Sequence, residues 1–223
     1  MVVSSQLNSL GMIIDSHMRF DSHVGAVARV CNYHTRILRH VRKHLTIEMV
    51  QTIAWSVISS RIDYCDWLLY GAPIAVVEKL QRAQNNRARV ICQQRRCVHA
   101  IPLLKTVHWL PVQQCTQYKI ADIMHRALST SVTPYIDELL QCQVMSWSLW
   151  SIDALCLSVS WTCTETAKRA FCVAAANVWN SLPNDIRNAS SLFTFRAKLK
   201  ILFYCCIPVL VMNMPPSHLC IDF

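Results

Sequence analysis

Val77-Glu-Lys-Leu-Gln-Arg-Ala-Gln-Asn-Asn-Arg-Ala-Arg-Val-Ile91 settles the fold class. Val77, Leu80, Ala88 and Ile91 recur at three-four spacing and make one apolar face. Lys79, Arg82, Asn86 and Arg89 recur at the same spacing on the outside. That period belongs to an amphipathic helix, since a strand would alternate with a period of two. Gly71 and Pro73 punctuate the chain just before it. A helix of this length, basic on its outer face, suits a nucleic-acid backbone or a partner groove.

The same period extends in both directions. Upstream, Val24, Val27, Cys31, Leu38, Val41 and Leu45 form a stripe after a start at Asp21 or Ser22, with His34 on it as a buried or half-buried histidine rather than a ligand. Arg29, Arg36, Arg39 and Lys43 populate the other faces. Thr46 then caps a helix with Glu48 in its first turn and Ile47, Val50, Ala54 and Val57 inside, running to about Tyr64. Downstream, Trp109-Leu-Pro111 breaks the chain before a helix with Ile120, Met124, Ala127 and Leu128 in register. Ser129 to Pro134 reads as a loop and Tyr135 to Leu140 as one or two helical turns. Gln141 to Thr164 keeps no periodicity and is expected to be irregular. Lys168 to Trp179 reads as one helix stopped by Leu182-Pro183, and Ser190 or Ser191 caps a last helix with Phe195, Leu199 and Leu202. Leu10 to Asp15 reads as a short strand with little before it to pair with, and the tail from Pro208 has no pattern. The expected fold class is mainly α: a helical bundle, a short β element at the N-terminus and a small helical C-terminal segment.

Composition narrows the function. Over 223 residues, 53% are hydrophobic and 16% charged, so a buried core is within reach. Three glycines against eight prolines argue against a turn-rich sandwich or a Gly-rich nucleotide loop. The net charge of +9 is concentrated: Lys79 to Lys119 holds eight Lys or Arg and no acid, and Arg19 to Lys43 holds six against one. Such blocks attract polyanions, nucleic acid first and an anionic membrane second, unless they are only solvated helix faces.

Twelve cysteines raise the question of disulfides or zinc. Met1 to Gly11 offers no charged region followed by an apolar one, so reduced thiols and an intracellular protein, nuclear or cytoplasmic, are expected. Cys92, Cys97, His99, His108 and Cys115 have gaps that match no compact zinc site. No metal or other cofactor is expected. The apolar run Ile201 to Met212 contains Pro208 and falls short of the roughly 20 residues that span a bilayer.

Several stretches taken together resemble the region that follows the catalytic palm in LINE-type (non-LTR) retrotransposon reverse transcriptases of the jockey-like kind. They are Leu10-Gly-Met-Ile-Ile-Asp15 with Phe20-Asp-Ser-His23; Ser60-Arg-Ile-Asp-Tyr64 with Leu69-Tyr-Gly71; Lys79-Leu-Gln-Arg-Ala-Gln-Asn85 with Ala88-Arg-Val90; and His108-Trp-Leu-Pro111 with Tyr118-Lys119. Arg169-Ala-Phe171, Ala174-Ala175, Val178-Trp-Asn-Ser-Leu-Pro183, Ile186-Arg187 and Phe195 through Leu202 follow in the same order, so the likeness covers residues 7 to 204. It implies that residues 1–20 are the last hairpin of the palm and that residues 21–140 are a thumb and post-thumb region that grips template and primer. Residues 141–164 would be an irregular linker, 165–205 a C-terminal helical segment and 206–223 an unstructured tail. The chain departs from the family in having Ala176 where a proline usually follows the Ala-Ala pair, and in lacking arginines near Cys115, Trp161 and Cys163. Arg to Cys and Arg to Trp are the changes that cytosine deamination makes in CG-starting codons, which points to a decayed copy of such an element or an exon derived from one.

Catalysis by this chain alone is not expected. Polymerase chemistry needs carboxylates holding two metal ions about 4 Å apart. The family draws them from an aromatic-x-Asp-Asp turn and an upstream aspartate, and this chain has no Asp-Asp pair. Asp63 and Asp66 read as a solvated helix end, and Asp137-Glu138 as a helix start. Three functions remain. The first is non-specific binding of RNA or DNA backbone through Lys79, Arg82, Arg89, Arg95, Arg96, Arg36 and Lys43, with no membrane and no small-molecule substrate. The second is a helical protein–protein interaction module anchored by Trp55, Trp67 or Trp109. The third is a decayed reading frame with no biochemical role.

Overall fold

The computed structural model describes residues 6–64, 66–130 and 156–205. The chain is mainly helical, with a two-stranded antiparallel sheet at its start, as the hydrophobic periods require. The expected strand does find a partner. β1 (Gln6–Ser9) pairs with β2 (Met12–Asp15) in the register Gln6↔Asp15 and Ser9↔Met12. Leu10 and Gly11 join them with φ of 49° and 80°, and two left-handed residues in a row give the turn whose twist suits a hairpin. Leu10 is the non-glycine member, which is why the sequence alone hides the turn.

α1 (Asp21–Val41) starts without a side-chain cap from Asp21 or Ser22. The Asp15 carboxylate accepts the Arg19 and Phe20 amides instead, at 3.1 and 2.8 Å. His23, Val24, Cys31, Thr35 and Leu38 are buried on its inner face and His34 is half-buried, whereas Val41 is exposed. Past its end, the buried Arg42 guanidinium donates to the carbonyls of Leu45 and Ile91.

Thr46 caps α2 (Ile47–Ala54) as its position predicts, its hydroxyl accepting the Met49 amide. The helix does not run unbroken to Tyr64. It widens into a π segment over Trp55–Ser59 and resumes as α3 (Ser60–Asp63). The buried positions Val50, Ala54, Ile58 and Ile62 are four apart, longer than the 3.6-residue period. One wide turn keeps them on the same side.

A 3₁₀ turn over Asp66–Leu69 and a left-handed Gly71 lead to α4 (Ile74–Ile91), which buries Val76, Leu80, Ala83 and Ile91. α5 (Ala100–Thr106), which the period does not announce, packs beside it, and α6 (Val112–Thr130) follows. In the last part, Thr164 caps α7 (Glu165–Lys168), and the chain breaks at Arg169-Ala170 before α8 (Phe171–Asn180). The expected single helix from Lys168 is thus two, because Arg169 turns back into the body of the protein. A short α9 (Asn184–Arg187) precedes α10 (Leu192–Cys205), whose start is capped by Ser191 accepting the Thr194 amide. Expectations for residues 131–155 and 206–223, including Asp137-Glu138, lie outside the described residues. Residues 156–164 carry no helix.

Two apolar clusters hold these elements. The first joins β2, α1, the α2–α3 rod, α4 and α5 around Val24, Leu38, Val50, Ile58, Leu80 and Leu104. The second gathers α6 with α8, α9 and α10 around Ile120, Met124, Trp179, Phe195 and Leu199. Its centre is a stack in which Phe195 lies against His125 at 4.2 Å and Trp179 at 6.0 Å. α6 therefore packs with the C-terminal segment as much as with the helices before it.

Candidate nucleic-acid interface

α1 and α4 lie side by side and run in the same direction. At their beginnings, Lys79 Nζ meets the Asp21 carboxylate at 3.1 Å. At their ends, Arg42 reaches the Ile91 carbonyl. Those two contacts fix which flank of α1 looks toward α4. Counting at 3.6 residues per turn, Arg36, Arg39 and Lys43 share that flank, and all three are exposed. On α4, Lys79 and Arg82 are exposed and lie on the side toward α1. The seam between the two helices is thus lined with cations on both walls.

The remaining basic residues fall into different settings. Arg89 is half-buried and donates to the Val98 carbonyl at 3.1 Å, so it ties α4 to the turn before α5. Arg95 and Arg96 are exposed in that turn. Arg82 donates to the Glu78 carbonyl of its own helix at 3.2 Å. The Lys79–Asp21 pair is about half exposed on each side, where an ion pair contributes roughly 0–1 kcal/mol and yields readily to a phosphate. From Lys79 to Arg89 the helix rises about 15 Å, the length of roughly four nucleotides of one strand.

Charge alone in the basic block is misleading at Arg87. Its side chain is 2% exposed, donates to the Ser59 hydroxyl at 2.6 Å and lies 3.6 Å above the Trp109 ring. Burial pulls its pKa down to about 10. Trp109 is correspondingly buried and cannot serve as an exposed anchor, and Trp67 is half-buried edge-on against Phe171. Trp55 is exposed.

Asp63 and Asp66 are not a solvated helix end. Asp66 is 1% exposed, with Lys119 Nζ 2.9 Å away, and the same ammonium donates to the Asp63 carbonyl oxygen. Burial pushes the Asp66 carboxyl up to about 6 despite Lys119, and it raises Asp63 as well. The group joins α3 and the following turn to α6 as an internal ionic link. Among the described residues, no set of three or more His, Cys, Asp or Glu side chains is placed to hold a metal ion. The eight cysteines among them are unbridged. No helix among them is long and apolar enough to cross a membrane.

Sequence reasoning also missed Arg169. Its guanidinium donates to the carbonyls of Met18, Leu68 and Tyr70, and its stem lies against Gly71. Nothing in a linear period announces an arginine that answers carbonyls about a hundred or more residues earlier. No family model, no curated protein and no solved structure matches this chain.

Proposed function

We propose that this chain is a non-catalytic, post-palm piece of a LINE-type reverse transcriptase, and that it binds RNA or DNA backbone without sequence preference. The cationic seam between α1 and α4 is the binding surface, with Arg95 and Arg96 extending it. The supporting observation is the pair of parallel helices whose facing flanks carry Arg36, Lys43, Lys79 and Arg82, all exposed. Phosphate contacts position a strand and carry no base information, which matches a surface of flexible cations without a stacking platform.

The test is fluorescence anisotropy of a labelled single-stranded RNA across a salt series. About four phosphate contacts give a slope of log K against log salt near −3, from roughly 0.7 per contact. Changing Arg36, Lys43, Lys79 and Arg82 to Gln keeps helix propensity and should remove most of that slope for every sequence alike. An unchanged slope refutes the assignment.

A second reading, that of a decayed element, has one supporting observation. Cys115, near which the family tends to have arginine, is half-buried beside Asp63 and Asp66, and its thiol is pushed up to about 12 by desolvation and those carboxylates. Burial raises both carboxylates, and Lys119 offsets it only in part, so a cation at position 115 would find acidic partners there. On that reading the purified chain melts without a cooperative transition.

A further inference from the structure

The opposite flank of α1 carries a different surface. The α2–α3 rod packs against α1 and α4 alike, with Cys31 Sγ 3.9 Å from the Ile58 carbonyl and Arg87 donating to the Ser59 hydroxyl at 2.6 Å, so α1 meets it on the side next to the one that faces α4. Tyr33, Ile37 and Val41 recur every four residues on the outer edge of that side, and they are 62%, 43% and 40% exposed. α2 returns antiparallel after a short turn. It presents Met49 and Ile53, 54% and 39% exposed, on the edge next to the half-buried Val57. The five side chains line the α1–α2 seam and form one exposed apolar furrow about 12 Å long, or rather more than two helical turns.

Such a furrow between two helices accepts a third by ridge-and-groove packing, with anchors at i, i+3 or i+4, and i+7. Its rim decides the partner. Arg29 and His40 are exposed on α1 just outboard of Tyr33 and Ile37, and the acid on the α2 side is Glu48. A second copy would bring a net charge of +9 against +9 and the same basic rim. A nucleic-acid strand would meet aliphatic side chains at the centre, with one ring, Tyr33, to stack on. We infer that the α1–α2 seam is a docking groove for an amphipathic helix of another protein, one that carries apolar anchors on one face and acidic residues along the flank over α1.

The probe is a fluorescein-labelled 16-residue helical peptide with a leucine face and a glutamate flank. Its controls have lysine in place of the glutamates, or serine in place of the leucines. The whole chain is titrated and polarisation recorded. The acidic leucine peptide should bind about tenfold or more tighter than either control. Ile37→Ser with Ile53→Ser, both at exposed positions, should weaken it about tenfold or more while the melting curve and the RNA salt slope stay as in the parent. Arg29→Glu should narrow the preference for the acidic peptide and leave the leucine face necessary. Equal binding of acidic and basic peptides overturns the proposal, as does indifference to the Ile37/Ile53 change. It is overturned equally if those two substitutions dissolve a dimer seen by sedimentation, or if the chain binds phosphatidylserine vesicles through the same residues and ignores the peptide. Loss of RNA binding with peptide binding intact sinks only the backbone reading, so the two are separable.

Discussion

Arg169 and Gly71 form a pair whose energetics can be worked out before any measurement. The Arg169 guanidinium donates to Met18 O at 2.6 Å and to Tyr70 O at 3.2 Å, with a weaker contact to Leu68 O at 3.4 Å. Two good charge-assisted bonds from a group that water partly reaches are worth about 2–3 kcal/mol in all. Arg169→Ala should therefore lower the melting temperature by roughly 5–10 °C for a chain of this size. Gly71 has φ of +67°, and an added Cβ would sit 2.9 Å from Arg169 Cγ. Gly71→Ala should cost about 1 kcal/mol or more for the left-handed alanine. It should also lose part of the Arg169 bonding, because the stem must move aside. In an Arg169→Ala background that second loss is already complete, so Gly71→Ala costs the backbone strain alone. Urea unfolding of the four proteins should give a double change smaller than the sum of the singles by about 1 kcal/mol. If the two costs add to within about 0.5 kcal/mol, or Arg169→Ala is nearly neutral, the clasp is decoration and the argument fails.

Asp66 predicts a pH dependence. Its folded pKa, pushed up to about 6 chiefly by burial, stands above the unfolded value near 3.9. The folded state then holds the proton more tightly, so the group's contribution to stability is full below about pH 4 and is lost as pH rises through 6, up to about 3 kcal/mol in all. Measured by urea at pH 4.5 and 7, the parent should gain on Asp66→Asn as pH falls, and a difference that is flat or reversed refutes the assignment. Given template, primer, nucleotides and magnesium, the purified chain should incorporate nothing above background. Incorporation abolished by changing Asp63 and Asp66 to Asn would show an active centre there.

Helix by helix, the sequence was legible where burial follows a local period. Leu80 and Ile91 on α4, Val50 and Ala54 on α2, and Ile120 and Met124 on α6 all point inward as their spacing predicts. It failed where a distant group sets the local structure. The start of α1 is held by Asp15 rather than by Asp21 or Ser22, and the break between α7 and α8 places Arg169 on carbonyls from the other end of the chain. The basic surface was half legible. Periodicity separates Lys79 and Arg82 from the core, but Arg87 was hidden because a buried arginine and a solvated one look alike in a count of charge. The apolar seam escaped for the converse reason: Val41 falls on the expected inner stripe and Tyr33 and Ile37 on no stripe, and only the place of α2 shows all three uncovered along one edge.

The place of α6 between two sets of partners has a consequence for how the protein is made. The helices that cover Ile120, Ala121, Met124 and Ala127 end at Cys205, roughly 75 residues after α6 itself ends. At a synthesis rate of about 5–20 residues per second, that face waits some 4–15 s for its cover. The first cluster, closed by contacts within residues 12–112, is complete in that time, whereas α6 stands beside it as an apolar ridge. The nascent chain is therefore most exposed to chaperones and to aggregation in this interval, and it is Phe195, Leu199 and finally Phe203 that end it.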